Sequence, residues 1–131
     1  LSARVVEAGV ERVPRRRGGV IELGAGGVPQ LLRTRDRSQK ICKRRDPEDA
    51  KLPLRASDYI RRHVRFTPFP GEDVGGMIRD AGSELFLFSS DYPHPEGTDD
   101  PIGRFERTLA GIPEGAKQQF YAENFAYMMG G

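Results

Sequence analysis

The chain has 131 residues, 37% of them hydrophobic, and a formal net charge of +2. That is enough for one domain with a core and too little charge to demand a polyanionic partner over the whole surface. No run approaches the roughly 18 apolar residues that span a bilayer, and no signal-peptide core stands at the N-terminus, so no membrane partner and a cytoplasmic setting are expected.

The first predicted element is an amphipathic helix over residues 2–13, with Val5, Val6, Val10 and Val13 among charged residues and Pro14 ending it. After the basic turn Arg15-Arg16-Arg17-Gly18-Gly19, the β-prone run 20–23 predicts a strand that empties into the glycine loop 24–27. Residues 28–32 begin a helix with Pro29 in its first turn. The basic segment from Arg33 to Arg45 continues it as a solvated extension, and the rest of the charged stretch 33–56 reads as a surface loop. Cys42 has no partner for a disulfide and no nearby Cys or His at metal-ligand spacing, so it is expected to be a bystander.

Ser57-Asp58 signals the start of a short helix through Arg62, and residues 63–67 alternate as a strand ended by Pro68. Val74, Met77, Ile78 and Ala81 fall at helical spacing, with Gly82 as the terminator. Residues 85–89 form an apolar run that predicts a buried third strand. Asp100 then caps a helix that starts at Pro101 and turns Ile102, Phe105 and Leu109 inward, and a last helix over 114–129 buries Ala116, Phe120, Phe125 and Met128 or Met129. Strands alternating with helices imply right-handed crossovers and a parallel sheet. Three strands would leave both sheet edges unpaired.

The loop after the third strand carries Asp91, His94 and Glu96 together, at the carboxyl end where α/β proteins gather their chemistry. A carboxylate there is a hard oxygen ligand for a divalent metal, and it can also take a proton from metal-bound water; capping of the following turn is its plain structural use. His94 is a companion for substrate or metal shell, although Pro-flanked loop histidines commonly face solvent. Glu22 interrupts an apolar strand, so its carboxylate must face either the mouth of the fold or a cationic partner, with a structural ion pair to an arginine favoured. Thr67, Tyr92 and Glu96 are pocket lining, and His63, at the opposite end of its strand, is structural. The glycine loop 24–27 lacks a phosphate-binding fingerprint and reads as a tight turn.

The motif Phe88-Ser89-Ser90-Asp91-Tyr92-Pro93-His94-Pro95-Glu96-Gly97, continuing through Asp100-Pro101-Ile102-Gly103-Arg104-Phe105 to Tyr121-Ala122-Glu123-Asn124-Phe125-Ala126, resembles the C-terminal part of the amidohydrolase-related metal-dependent hydrolases. The likeness is to the branch with the aminocarboxymuconate-semialdehyde decarboxylase-like enzymes, and it runs from about Arg61 to the end and, more faintly, over residues 19–32. It implies a (β/α)8 TIM barrel whose last strand ends in a metal-site Asp, which is Asp91 here. The family's His-x-His pair and middle-strand histidines have no counterpart, since the two histidines of the chain are His63 and His94. A whole barrel takes about 250 residues, so residues 1–131 are expected to form its C-terminal part, with 20–23, 64–67 and 85–89 as the last three strands.

The implied reaction is metal-dependent hydrolysis of a C–N or C–O bond, or non-oxidative decarboxylation, of a small-molecule substrate. Asp91 is the ligand of a divalent metal, Zn²⁺ in expectation, and also a general base, with His94 beside it. The chain alone is expected to be inactive, its other ligands lying elsewhere. Two rival readings are a binding module that grips nucleic acid through the basic segment 33–45, disfavoured because aromatics are not interleaved, and a half-barrel that completes itself as a homo-oligomer or with another chain.

Overall fold

The computed structural model describes residues 13–45, 51–95 and 97–130. Apart from Val13, the helix expected over residues 2–13 lies outside them, as does Glu96.

The sheet is parallel, with β1 (Gly18–Val20) and β2 (Val64–Phe66) paired in the register Gly18↔Val64, Gly19↔Arg65, Val20↔Phe66. The first strand sits earlier than residues 20–23. Its last ladder bond runs from the Thr67 N–H to the Val20 carbonyl at 3.1 Å, and the next N–H on that side, that of Phe69, donates instead to the Glu72 carboxylate at 2.8 Å. The chain therefore leaves the sheet, exposing Ile21 (58%) and Leu23 (78%). The third strand is likewise shorter than expected. Ser83–Leu85 forms one 3₁₀ turn, and segment 86–88 touches β2 through the single bridge Phe66↔Phe86, with the Leu87 N–H donating to the Phe66 carbonyl at 2.8 Å. The Phe88 N–H turns instead to the carbonyl of Phe120, at 3.0 Å.

Helix α1 (Val28–Arg45) absorbs the basic segment entirely. Val28, Pro29, Leu32 and Gln39 form its buried stripe, while Arg33, Arg37, Lys40, Arg44 and Arg45 face solvent. Three polar side chains dock the returning chain onto it. Asp36 accepts the Ser57 N–H and hydroxyl, each at 2.8 Å, Gln39 bridges the Leu54 carbonyl and the Ala56 N–H, and Lys43 donates to the Leu52 carbonyl. Helix α2 (Ala56–His63) consequently starts one residue before Ser57. Arg55 occupies the cap, its N–H donating to Asp58, and Ser57 serves α1. His63 is buried with Nδ1 2.7 Å from the Arg16 carbonyl, a structural role as expected. At the same end of the sheet the Arg17 and Arg65 guanidiniums lie 3.7 and 4.6 Å from the centre of the Tyr127 ring.

Helix α3 (Val74–Ala81) is capped by Asp73, which accepts the Gly76 N–H, and α4 (Pro101–Thr108) by Asp100, which accepts the Gly103 N–H. Phe105 and Leu109 are fully buried, but Ile102 is 58% exposed and does not share their face. The last helix is interrupted: α5 (Glu114–Gln118) widens into a π turn over Gln119–Glu123 before α6 (Asn124–Met128). Asn124 is buried, and its amide donates to the Ser83 and Phe86 carbonyls at 2.6 and 2.8 Å. Phe125, expected inside, is turned out to 56% exposure, and of Met128 and Met129, either of which was expected inside, Met128 is half-buried and Met129 is 69% exposed.

Glu72 joins the loops that follow the two strands. Its carboxylate accepts the Ala25 N–H at 2.9 Å, the Gly26 N–H at 2.7 Å and the Phe69 N–H at 2.8 Å. A Cβ on Gly26 would lie 2.9 Å from this carboxylate, and Gly24 adopts φ +67° against the Phe69 ring. The glycines thus let the chain's own carboxylate occupy the amides of the loop, in place of any phosphate.

Two outcomes test this packing. Ala in place of Gly75 would gain about 1 kcal/mol of helix propensity, yet its Cβ would fall 1.8 Å from the Thr108 carbonyl oxygen; urea unfolding of Gly75→Ala should show a net loss of about 3 kcal/mol. Glu72→Ala leaves amides in both loops unpaired, at a cost of about 2–3 kcal/mol, and should speed hydrogen exchange at Ala25, Gly26 and Phe69.

Candidate active site

The segment that delivers Asp91 is anchored by aromatic packing. The Phe88 ring meets Phe105, Phe120 and Tyr121 at centroid distances of 5.8, 6.1 and 5.3 Å. Edge contacts of this kind contribute about 0.5–1.5 kcal/mol each beyond area burial. A polar clasp closes the outside of the cluster, where Glu106 accepts Lys117 Nζ at 2.7 Å and the Tyr121 hydroxyl at 2.9 Å. The Lys117 bond, with that of Tyr121, holds the Glu106 carboxyl below the usual carboxylate range, while burial, then the Glu106 bond, pushes the Tyr121 phenol up.

From Phe88 the chain runs out through Ser89 and Ser90 into a closely hydrogen-bonded turn. The Asp91 and Tyr92 N–H groups donate to the Ser89 and Ser90 hydroxyls, both at 3.3 Å, and the His94 N–H donates to the Asp91 carbonyl at 2.9 Å. Asp91 is held at φ 57°, in the left-handed region. Its side chain is only 11% exposed, and Oδ2 is buried without a hydrogen-bond partner. An unpaired buried carboxylate oxygen beside a left-handed backbone is costly on both counts, by about 1–3 kcal/mol for each.

A cavity of about 120 Å³ opens where the loops after the three strand ends meet, and Asp91, His94, Glu22, Thr67, Ser89, Ser90, Phe69 and Tyr92 are among the residues lining it. The structure therefore brings together Asp91 and His94, with His94 Nδ1 3.6 Å from Asp91 Oδ1. Thr67 and Tyr92 line the pocket as expected, Tyr92 being 84% exposed. Of the two alternatives for Glu22, the structure takes the mouth of the fold and not the favoured arginine pair. No arginine pairs with it among the described residues; its carboxylate faces His94, Oε1 lying 3.9 Å from Nε2, and its backbone is also left-handed at φ 63°.

Sequence reasoning missed Phe69, Ser89 and Ser90 as lining, although two serines ahead of an Asp are a recognisable turn signal. As for a metal, the orphaned Asp91 oxygen suits one hard-ligand position. Among the described residues, however, no group of three His, Cys, Asp or Glu is arranged to hold an ion. No described helix is long and apolar enough to cross a membrane.

No protein-family model and no curated protein matches the chain. Among solved structures, 96% of it superposes on an amidohydrolase from Mycobacterium avium subsp. paratuberculosis K-10 with a TM-score of 0.76 and 24% sequence identity. The chain spans 31% of the length of that protein. This likeness is one of fold: the parallel strands, the helices between them and the turn that carries Asp91 form an amidohydrolase-like α/β unit of the kind related to TIM barrels.

Proposed function

We propose that the chain forms the last strands and helices of an amidohydrolase-type (β/α)8 barrel and contributes one wall of a metal-dependent active site. The reaction class is hydrolysis of a C–N or C–O bond, or non-oxidative decarboxylation, of a small organic substrate, in the manner of the decarboxylase-like branch that the motif at Asp91 resembles. The observation that carries this reading is the buried, unpartnered Oδ2 of Asp91 on a pocket at the carboxyl ends of parallel strands. Nothing in the packing recovers its cost, so the oxygen is best explained as a ligand position kept ready.

A divalent metal such as Zn²⁺ supplies, when bound, a Lewis acid and a water acidic enough to act near neutral pH. Asp91 holds it on one side, the Ser89 and Ser90 hydroxyls brace the turn, and Phe69 and Tyr92 give apolar surface for a small substrate. A catalytic zinc normally takes three protein ligands, so the remaining donors belong to strands outside these 131 residues. Among the described residues β1 pairs on one side only, with β2, which favours completion of the sheet by further strands.

Titration of the chain with Zn²⁺, followed through backbone amide resonances, should perturb residues 89–94 with an affinity weaker than micromolar, and Asp91→Ala should abolish the effect. An unperturbed Asp91 would overturn the ligand assignment, and sub-micromolar binding would overturn the claim that the ligand set is incomplete. Asp91→Asn keeps a residue that tolerates the left-handed region and removes the buried charge. It should raise stability by about 1 kcal/mol in urea unfolding while losing the metal response, the trade-off typical of functional sites.

A further inference from the structure

Asp91 and Glu22 are the two non-glycine residues with left-handed backbone among those described, at φ 57° and 63°. They stand at the ends of different strands, and both face one imidazole. His94 Nδ1 lies 3.6 Å from Asp91 Oδ1, and Nε2 lies 3.9 Å from Glu22 Oε1. Each ring nitrogen of His94 is therefore addressed by its own carboxylate. The separations are slightly longer than direct hydrogen bonds, as is common in sites that tighten when a ligand arrives.

The geometry points to Glu22 as a positioning residue of this site, its carboxylate holding the His94 ring so that Nδ1 is presented to Asp91. This rests on the reading of the pocket as an active site and adds to it a residue that touches neither the proposed metal ligand nor the core. A purely structural role fits poorly. The Glu22 and His94 side chains are 63% and 48% exposed, and an ion pair so exposed contributes little to stability. A left-handed Glu is moreover disfavoured at a position that glycine would occupy without strain. Glu22 thus retains a conformation that costs stability and directs its carboxylate at the Nε2 side of a half-exposed histidine whose other nitrogen faces Asp91.

The chain has two histidines, and buried His63, tied to the Arg16 carbonyl, serves as an internal control in imidazole NMR spectra. In Glu22→Gly the left-handed backbone is relieved, so the thermal midpoint should be equal to or above that of the parent. The His94 ring resonances should move to those of an unstructured histidine while His63 stays in place. Glu22→Gln, which keeps an oxygen within reach of Nε2, should restore most of the His94 shift. Unmoved His94 resonances in Glu22→Gly would overturn the assignment, and so would a lowered midpoint with a moving His63, which would make Glu22 structural. None of these readouts involves a metal, so a failed Zn²⁺ response at Asp91 and a failed positioning role for Glu22 are separate results.

Discussion

The architecture depends on one carboxylate. Glu72 accepts amides from the loop after β1 and from the loop after β2, joining at the carboxyl ends two strands that share only three paired residues each. A ladder this short cannot by itself fix the angle at which its loops emerge. The clamp does so with charge-assisted bonds, roughly twice as strong as neutral ones. It also decides how the glycine loop is used: the amides that could cradle an anion from outside are already filled from within.

A second constraint acts on the third segment, which has one bridge to the sheet in place of a full ladder. What the ladder lacks is supplied by side chains. Phe88 is wedged among Phe105, Phe120 and Tyr121, and the Asn124 amide satisfies carbonyls that a neighbouring strand would otherwise take. Rigid anchoring of Phe88 is what allows the turn three residues later to hold Asp91 in a costly conformation, because strain persists only where the surroundings over-determine it.

Stability and candidate chemistry are accordingly separated along the strands. The amino ends carry His63, Arg17, Arg65 and Tyr127, with hydrogen bonds and ring contacts that are structural. The carboxyl ends carry an unpaired oxygen, two left-handed backbones and a half-exposed histidine around a cavity. The division matches that of TIM-type barrels, in which the amino-end face is given to stability and the carboxyl-end face to the site, and the fold of the chain is similar to that of an amidohydrolase.

The sequence by itself determined the order of the described helices and of β1 and β2, the caps at Asp73 and Asp100, the terminating Gly82, the placement of Asp91 and His94 on one loop, and the structural role of His63. These follow from local rules: helical spacing of apolar residues, carboxylates that reach an amide three residues on, and apolar runs bounded by Pro and Gly. Tertiary structure alone decided the rest. The β1–β2 ladder stops where Glu72 takes the Phe69 N–H, Pro68 has no N–H to offer the third segment, and the start of α2 moved because Asp36 claimed Ser57. Phe125 follows Asn124, whose amide is turned inward to the Ser83 and Phe86 carbonyls, and itself faces out. Glu22 and Glu72 show the limit most plainly, since one, for which an arginine pair was favoured over the mouth of the fold, lines the pocket opposite His94, and the other, unremarked in the sequence, joins two loops. A carboxylate's partner is fixed by which chain segment comes within about 3 Å of it, and local sequence does not encode that proximity.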